Sequence, residues 1–209
     1  MVSTIKAVVF DFGNVISLPP PPEVREEISA MTGLPLETLA EMDRKHRGEY
    51  DRGAFDGKGY YKSLLAGAGI FPDDRTLEKI AEADQGGWKH INAGTVKLMR
   101  DIKKAGFILG ILSNIPHDFL AWGRANIPVF TEADTAVFSC EVNAIKPEPA
   151  IYEKLKNEIG CDYGEIVFFD DLPDNIEKAR ELGINGFLWD GPEAARMMLK
   201  KIDPGFFGL

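Results

Sequence analysis

Five short apolar runs recur along the chain, and glycine, asparagine, aspartate or serine stands beside most of their ends. Each run consists mainly of β-branched, aromatic or other apolar residues and lacks the alternation of a half-exposed strand. Such runs are typical of strands that are buried on both faces, as in a parallel sheet covered by helices. The predicted strands are Ala7 to Phe10, Phe107 to Leu112, Ala136 to Ser139, Ile166 to Phe169 and Gly186 to Trp189.

Helical patterns separate the predicted strands in the second half of the chain. Val96, Met99 and Ile102 show helical spacing in Thr95 to Lys104, and Gly106 supplies a stop. Further helices are predicted at Pro116 to Arg124, Ala150 to Ile159, Asn175 to Leu182 and Pro192 to Lys201. Strands that alternate with helices indicate right-handed βαβ units. The predicted fold class is therefore α/β, with a doubly wound, Rossmann-like parallel sheet.

Residues 17–92 show no convincing strand pattern. After the stiff run Pro19 to Pro22, helical patterns begin near Glu23 and continue at Leu36 to Lys45, Tyr60 to Ala66 and Asp74 to Ala83. We therefore expect an all-helical insertion. The predicted domains are a catalytic core, made of residues 1–16 and 93–209, and a helical cap, residues 17–92.

The composition is that of an ordinary soluble protein. The chain has 209 residues, of which 44% are hydrophobic and 27% charged. It shows no leader pattern and no apolar run long enough to cross a bilayer, which favours a cytoplasmic location. Cys140 and Cys161 are too few for a disulfide framework or a zinc cluster.

The chain is acidic, with a formal net charge of -9 and a pI near 4.9. This charge opposes binding to nucleic acid or to an anionic membrane. It also repels an anionic metabolite. A phosphorylated substrate would therefore need local positive charge from a cation, a lysine or a helix N-terminus.

Polar residues follow three of the predicted strands. Asp11, Ser113-Asn114 and Asp170-Asp171 should meet at one edge of the sheet, and Lys146 lies on a connecting loop. Taken singly, these residues also suit helix caps or solvated loop positions. Together, three carboxylates in one place require compensation, because like charges raise each other's pKa values. Mg²⁺ and the Lys146 ammonium would supply three positive charges, and oxygen ligands favour such a hard cation.

These segments resemble, in order, the four motifs of the haloacid dehalogenase superfamily of hydrolases. Val9 to Val15 is similar to the first motif, Gly110 to Asn114 to the second, Lys146 to Tyr152 to the third, and Val167 to Asp171 with Asp174-Asn175 to the fourth. The resemblance covers nearly the whole chain. It implies a phosphatase of this superfamily in which residues 17–92 form a helical C1-type cap.

The resemblance implies a role for each matched residue. Asp11 would be the nucleophile that forms an aspartyl-phosphate, and it would also bind Mg²⁺ together with the carbonyl of Gly13 and the carboxylate of Asp171. Asp170 would act around the metal by orienting bound water. Ser113, the backbone N–H of Asn114, and Lys146 would bind the phosphoryl oxygens and neutralise charge.

Gly13 departs from the usual phosphatase pattern, in which a second aspartate at this position serves as acid and base. Its loss typically costs ~10²- to 10⁴-fold in rate, so either the enzyme is slow, the leaving group is good, or another group supplies the proton. Sugar-1-phosphate phosphatases with a similar Asp-x-Gly-Asn-Val motif belong to the superfamily, which favours a small phosphorylated metabolite such as a hexose 1-phosphate. His46 and Arg47, in a charged cluster of the cap, are candidate substrate contacts, and His46 is a candidate proton carrier.

Other functions remain open from the sequence. A 2-haloacid dehalogenase would use the same nucleophile without a metal, but that branch typically lacks the paired aspartates. A phosphonate hydrolase would need a Schiff-base lysine in the cap. A catalytically weak sensor that binds Mg²⁺ and phosphate is a third alternative. The sequence does not indicate an oligomeric state.

Overall fold

Five strands form one parallel sheet in the computed structural model, which describes residues 5–208. Their order is β3-β2-β1-β4-β5. The strands are β1 (Ala7–Phe10), β2 (Ile108–Ser113), β3 (Thr135–Phe138), β4 (Ile166–Asp170) and β5 (Asn185–Leu188). Residues 1–4 and Leu209, which the sequence analysis assigns to the core, lie outside the described residues.

The first strand lies in the middle of the sheet. Phe10 is in register with Ile111 of β2 on one side and with Phe169 of β4 on the other. The chain therefore adds β2 and β3 on one side of β1, and then β4 and β5 on the other side. This is the arrangement of a doubly wound fold. Each strand begins and ends within one residue of its predicted position, and the predicted α/β fold class is confirmed.

Helices cover both faces of the sheet, and each face has its own hydrophobic cluster. Leu98 and Met99 of one helix and Leu199 of another belong to the first cluster, and Ile151 and Ile176 to the second. The helices of this part of the chain are α5 (Ala93–Lys104), α6 (His117–Asn126), α7 (Val129–Glu132), α8 (Ser139–Val142), α9 (Pro149–Ile159), α10 (Pro173–Glu181) and α11 (Pro192–Ile202).

Residues 17–92, called the helical block below, contain helices and a third hydrophobic cluster of their own. The helices are α1 (Pro22–Thr32), α2 (Leu36–Asp51), α3 (Gly57–Gly67) and α4 (Asp74–Gly87). Tyr60, Leu65 and Ile80 are fully or almost fully buried in that cluster. The two ends of the block lie together, because Ser17 and Ile91 form an isolated antiparallel bridge.

Several predicted helices are too short. The structure extends α2 from Lys45 to Asp51, where ion pairs at helical spacing, such as Arg47 with Asp51, stabilise the added turns. It also starts α5 at Ala93 instead of Thr95, because the Asn92 side chain caps the helix. No helix within residues 5–208 is both long and apolar enough to cross a bilayer.

Candidate active site

Asp11 stands directly after β1, at the carboxyl edge of the sheet. Its backbone N–H donates to the carbonyl of Phe169 at 2.9 Å, which continues the β1–β4 pairing by one residue. Beyond it the chain makes an irregular turn, Phe12–Ile16, in which Asn14 has a positive φ of 57°. Asparagine tolerates this conformation better than most residues. The turn holds the Asp11 side chain at the sheet edge, where it is 6% exposed.

Lys146 is the cation at the centre of the site. Its Nζ lies 2.7 Å from Oδ1 of Asp11 and 2.6 Å from Oδ2 of Asp170, and it donates to the carbonyl of Leu112 at 3.0 Å. The residue is only 4% exposed. Burial favours the neutral amine, but the two carboxylates outweigh that effect and raise the pKa of Lys146. The side chain is therefore held as a buried ammonium.

Asn114 fixes the loop that carries Lys146. Its amide donates to the Lys146 carbonyl at 3.0 Å and accepts from the Lys146 backbone N–H at 2.8 Å. The neighbouring Ser113 is 1% exposed and does not line the cavity at this site, whereas Asn114 does. The end of β2 thus holds the lysine loop in place through Asn114.

The two aspartates that end β4 have different surroundings. Asp170 is fully buried and accepts hydrogen bonds from the Leu172 backbone N–H, the Asn175 amide and the Lys146 ammonium. Asp171 is partly exposed, and its Oδ2 accepts from the Asn14 amide at 2.7 Å. Asp170 therefore has a structural position in the network, while Asp171 faces the cavity that it helps to line.

The site fits a hard cation. One carboxylate oxygen from each of Asp11, Asp170 and Asp171 lies within 4.8 Å of the others. In addition, the buried Oδ1 of Asp11 has no hydrogen bond of normal geometry within residues 5–208, although Lys146 is near. An oxygen-only donor set of this kind suits Mg²⁺. Gly13, the fourth predicted ligand, lines the same cavity.

Burial also determines the ionisation of the acidic groups. It raises the pKa of Asp11 to about 7, an effect that Lys146 opposes and that Asp170 and Asp171 reinforce. Burial likewise raises the pKa of Asp171, while the hydrogen bond from Asn14 opposes the rise. Additional positive charge next to Asp11 would therefore shift it further towards the ionised form at neutral pH.

A cavity of about 290 Å³ opens from Asp11 towards the helical block. It is large enough for a small metabolite, near the lower end of the range of ligand pockets. Both parts of the chain line it. The core contributes Asn114, Ile115, Pro116, Phe119, Lys146 and Asp171 among others, and the helical block contributes Arg25, Asp43, Arg47, Tyr50, Asp51, Asp84, Gln85 and Trp88.

The two charged residues predicted as substrate contacts have different positions. His46 is exposed and is not among the residues that line the cavity, whereas Arg47 lines it. The Arg47 guanidinium is bound within the helical block, with Nε 3.2 Å from Asp51 and Nη1 3.1 Å from Asp84. It also lies 5.0 Å from the centre of the Tyr50 ring.

Trp88 and Asp118 are two residues of the site that were not predicted from the sequence. Trp88 follows α4, which runs through Gly86-Gly87 instead of ending near Ala83 as predicted, and its indole lines the cavity beside Gly13. Asp118 lies in the first turn of α6 and accepts hydrogen bonds from the helical block. A tryptophan at the point where the chain returns to the core was a signal that could have been followed.

The chain belongs to the haloacid dehalogenase-like hydrolase family, whose family model matches residues 5–183. The chain is 24% identical over 197 residues to "Phosphatase MT3486" of Mycobacterium tuberculosis (strain CDC 1551 / Oshkosh), covering 90% of this chain and 88% of that protein. It is 28% identical over 149 residues to mouse "Bifunctional epoxide hydrolase 2". That match spans 68% of this chain but only 26% of the mouse protein.

Solved structures show the same fold. The family enzyme BT-2542 of Bacteroides thetaiotaomicron superposes with a TM-score of 0.75 at 19% identity, covering 93% of this chain and 98% of that one. Its complex with magnesium and inorganic phosphate superposes with a TM-score of 0.71 at 20% identity, covering 90% and 95%.

Proposed function

We propose that the protein is a Mg²⁺-dependent phosphatase of a small phosphorylated metabolite, such as a hexose 1-phosphate. One observation carries the proposal: Asp11, Asp170 and Asp171 converge within 4.8 Å beside the cavity that Asp11 and Asp171 line, with the Lys146 ammonium between the first two. The family membership, the phosphatase relative and the magnesium and phosphate complex of a neighbour support it.

In this mechanism Asp11 is the nucleophile. One carboxylate oxygen attacks phosphorus while the bond from phosphorus to the leaving oxygen breaks, and water then hydrolyses the aspartyl-phosphate. Lys146 holds the attacking carboxylate and neutralises charge on the transferred group. Asn114 positions Lys146, and the backbone N–H of Asn114 would bind the phosphoryl oxygens. Ser113, the preceding residue, is the second group predicted to bind them. Asp170 acts through Lys146, which it holds from the opposite side.

The donor set would hold Mg²⁺ through Asp11, Asp171 and the Gly13 carbonyl. When bound, the ion supplies positive charge to the phosphoryl oxygens and favours ionised Asp11. The helical block would act as a cap that excludes water and contacts the leaving group. Arg47 would be one such contact, since it lines the cavity, where three carboxylates surround its guanidinium.

A phosphate-release screen tests the proposal. The purified chain is incubated with sugar phosphates, nucleotides, acyl phosphates and 2-haloacids, in Mg²⁺ or in EDTA. We expect phosphate release that requires Mg²⁺ and is lost in Asp11→Asn. Asp190→Asn is the matched control, since Asp190 is exposed and does not line the cavity.

Two outcomes contradict the proposal. The first is an absence of phosphate release above the Asp11→Asn blank on every compound, which would favour a binding module that senses a metabolite. The second is halide release from a 2-haloacid in EDTA, which would assign the protein to the dehalogenase branch. Acid-quenched samples of the active protein should in addition carry phosphate on the peptide that contains Asp11.

A further inference from the structure

Gly13 occupies the position where the superfamily's phosphatases carry an acid/base aspartate, and its backbone does not require glycine. Its φ and ψ are -62° and 130°, values that any L residue adopts. What distinguishes the position is the neighbour that a side chain there would face. A Cβ built on Gly13 meets two atoms of the Trp88 indole, at 3.4 Å and 3.9 Å, as its nearest neighbours. A longer side chain would project towards that ring.

The helical block fixes the position of Trp88. The Trp88 backbone N–H donates to the carbonyl of Gln85 at 3.2 Å, at the end of α4. The indole packs against the first hydrophobic cluster and also lines the cavity. The preceding Gly87 lies against Pro20 and Val24, where a Cβ would be 3.0 Å from the proline, so the backbone has little room to move.

The wall on this side of the cavity is aromatic and apolar. Phe119 and Ile115 from the core lie along the same cavity as Trp88. Two polar groups of this wall are already engaged: the Tyr50 hydroxyl and the Gln85 amide both donate to Asp118. No histidine within residues 5–208 lines the cavity. Arg47 also lines the cavity, where its guanidinium is already paired with Asp51 and Asp84. A leaving group next to Gly13 would meet the aromatic surface of Trp88.

We propose that Trp88 is the residue that determines which leaving groups the enzyme accepts. Its indole lies where a side chain at position 13 would point and contacts the leaving group, so that this position supplies no proton for phosphorus–oxygen cleavage. The electron pair of the broken bond stays on the leaving oxygen, which departs as an anion or takes a proton from water. Substrates with stable leaving anions and a ring face that packs on an indole are favoured.

This inference rests on the proposed function, and a set of variants separates the two. Wild type, Gly13→Asp, Trp88→Ala and the double variant Gly13→Asp/Trp88→Ala are compared in Mg²⁺ by kcat/KM. Acetyl phosphate and p-nitrophenyl phosphate represent good leaving groups, and glycerol 3-phosphate a poor one. Trp122→Ala is the control, because this indole lies outside the cavity.

We expect wild type to act mainly on the activated substrates. Gly13→Asp alone should raise kcat/KM for glycerol 3-phosphate only slightly, because Trp88 blocks the carboxylate of the new aspartate. The double variant should exceed Gly13→Asp about 100-fold on this substrate, because the installed acid then has room. An equal rate for Gly13→Asp and the folded double variant would overturn the inference. Absence of phosphate release by wild type from every compound of the screen would instead contradict the proposed function.

A binding measurement tests the contact without turnover. In an Asp11→Asn background, calorimetry compares glucose 1-phosphate with inorganic phosphate. Trp88→Ala should lower the affinity for glucose 1-phosphate about 10-fold and leave the affinity for inorganic phosphate unchanged. Trp88→Phe should retain most of the affinity for glucose 1-phosphate. Equal weakening of both ligands, or of neither, would show that the indole does not contact the leaving group. If an alanine variant does not fold, as judged by circular dichroism, Trp88→Leu takes its place.

Discussion

The hydroxyl of Tyr50 in α2 lies 3.1 Å from each carboxylate oxygen of Asp118 in α6. The same carboxylate accepts from the Gly57 backbone N–H at 2.8 Å and from the Gln85 amide at 2.7 Å. One residue of the core thus receives donors from three segments of the helical block. Burial, and after it the charge of Asp118, raises the pKa of Tyr50, so the Tyr50 hydroxyl stays protonated and acts as a donor.

Replacement of Asp118 by alanine should loosen the helical block from the core. Three donors would lose one charged acceptor, and hydrogen bonds to charged groups are typically worth about 1.5–3 kcal/mol. We expect a loss of about 2 kcal/mol in the free energy of unfolding, measured by urea denaturation. Proteolysis within residues 17–92 should accelerate as well. With a substrate in hand, KM should rise more than kcat falls.

Glu193→Ala is the matched control for this prediction. Glu193 also stands in the first turn of a helix, α11, but it is exposed. Its removal tests the helix-dipole contribution alone, which is at most about 1 kcal/mol. Equal stability losses in the two variants would mean that Asp118 acts only as a helix-terminal charge and not as a link between the two parts.

The strands of the sheet could be predicted from the sequence because the residues that form them are both apolar and buried. All residues of β1 and β4 are buried, and the apolar runs Ala7 to Phe10 and Ile166 to Phe169 within them contain no polar residue. Helix ends were harder to predict. The helix predicted at Asp74 to Ala83 continues to Gly87 in the structure, where α4 packs against α1 and α3.

The site could be predicted where it depends on strand ends. Asp11, Lys146 and Asp170 meet because parallel strands bring their carboxyl ends to one edge. Contacts across the helical block depend on how that block docks, which no local pattern encodes. His46 and Arg47 illustrate the limit: neighbours on a helix point roughly 100° apart, so only one of them lines the cavity.

Asp51 should make the stability of the protein depend on pH. Burial raises its pKa to about 6 from a normal value of 3.8, although Arg47 opposes the rise. The folded state therefore binds more protons than the unfolded state between these values. The stabilisation by protonated Asp51 is complete below pH 3.8 and is lost as pH rises through 6.

Between pH 5 and 7.5 this loss amounts to about 1.4 kcal/mol for the pKa values above. Asp51→Asn removes the titrating group, so its stability should fall less than that of wild type over this interval. Urea denaturation at several pH values measures the difference. Asp190→Asn should follow the wild-type profile, since this side chain is exposed. Parallel profiles for wild type and Asp51→Asn would contradict the prediction.

Removal of the Lys146 ammonium should make the fold depend on a divalent cation. In Lys146→Met, Asp11 and Asp170 would remain buried beside each other without their shared counter-ion. Breaking a buried pair from one side typically costs about 3–5 kcal/mol. We therefore expect a large fall in Tm in EDTA, measured by calorimetry. Partial recovery should follow addition of Mg²⁺, because the ion would supply positive charge to the same carboxylates.

Lys154→Met is the matched control for this variant. Lys154 is an exposed lysine on α9 whose partner, Glu158, lies on the same helix, so its removal should cost less than about 1 kcal/mol. Its response to Mg²⁺ should equal that of wild type. A Lys146→Met variant that keeps the wild-type Tm in EDTA would mean that Asp11 has taken up a proton instead, which its raised pKa permits. A Tm profile from pH 5 to 9 separates these outcomes, because protonated Asp11 would lose its proton, and the variant its stability, as the pH rises.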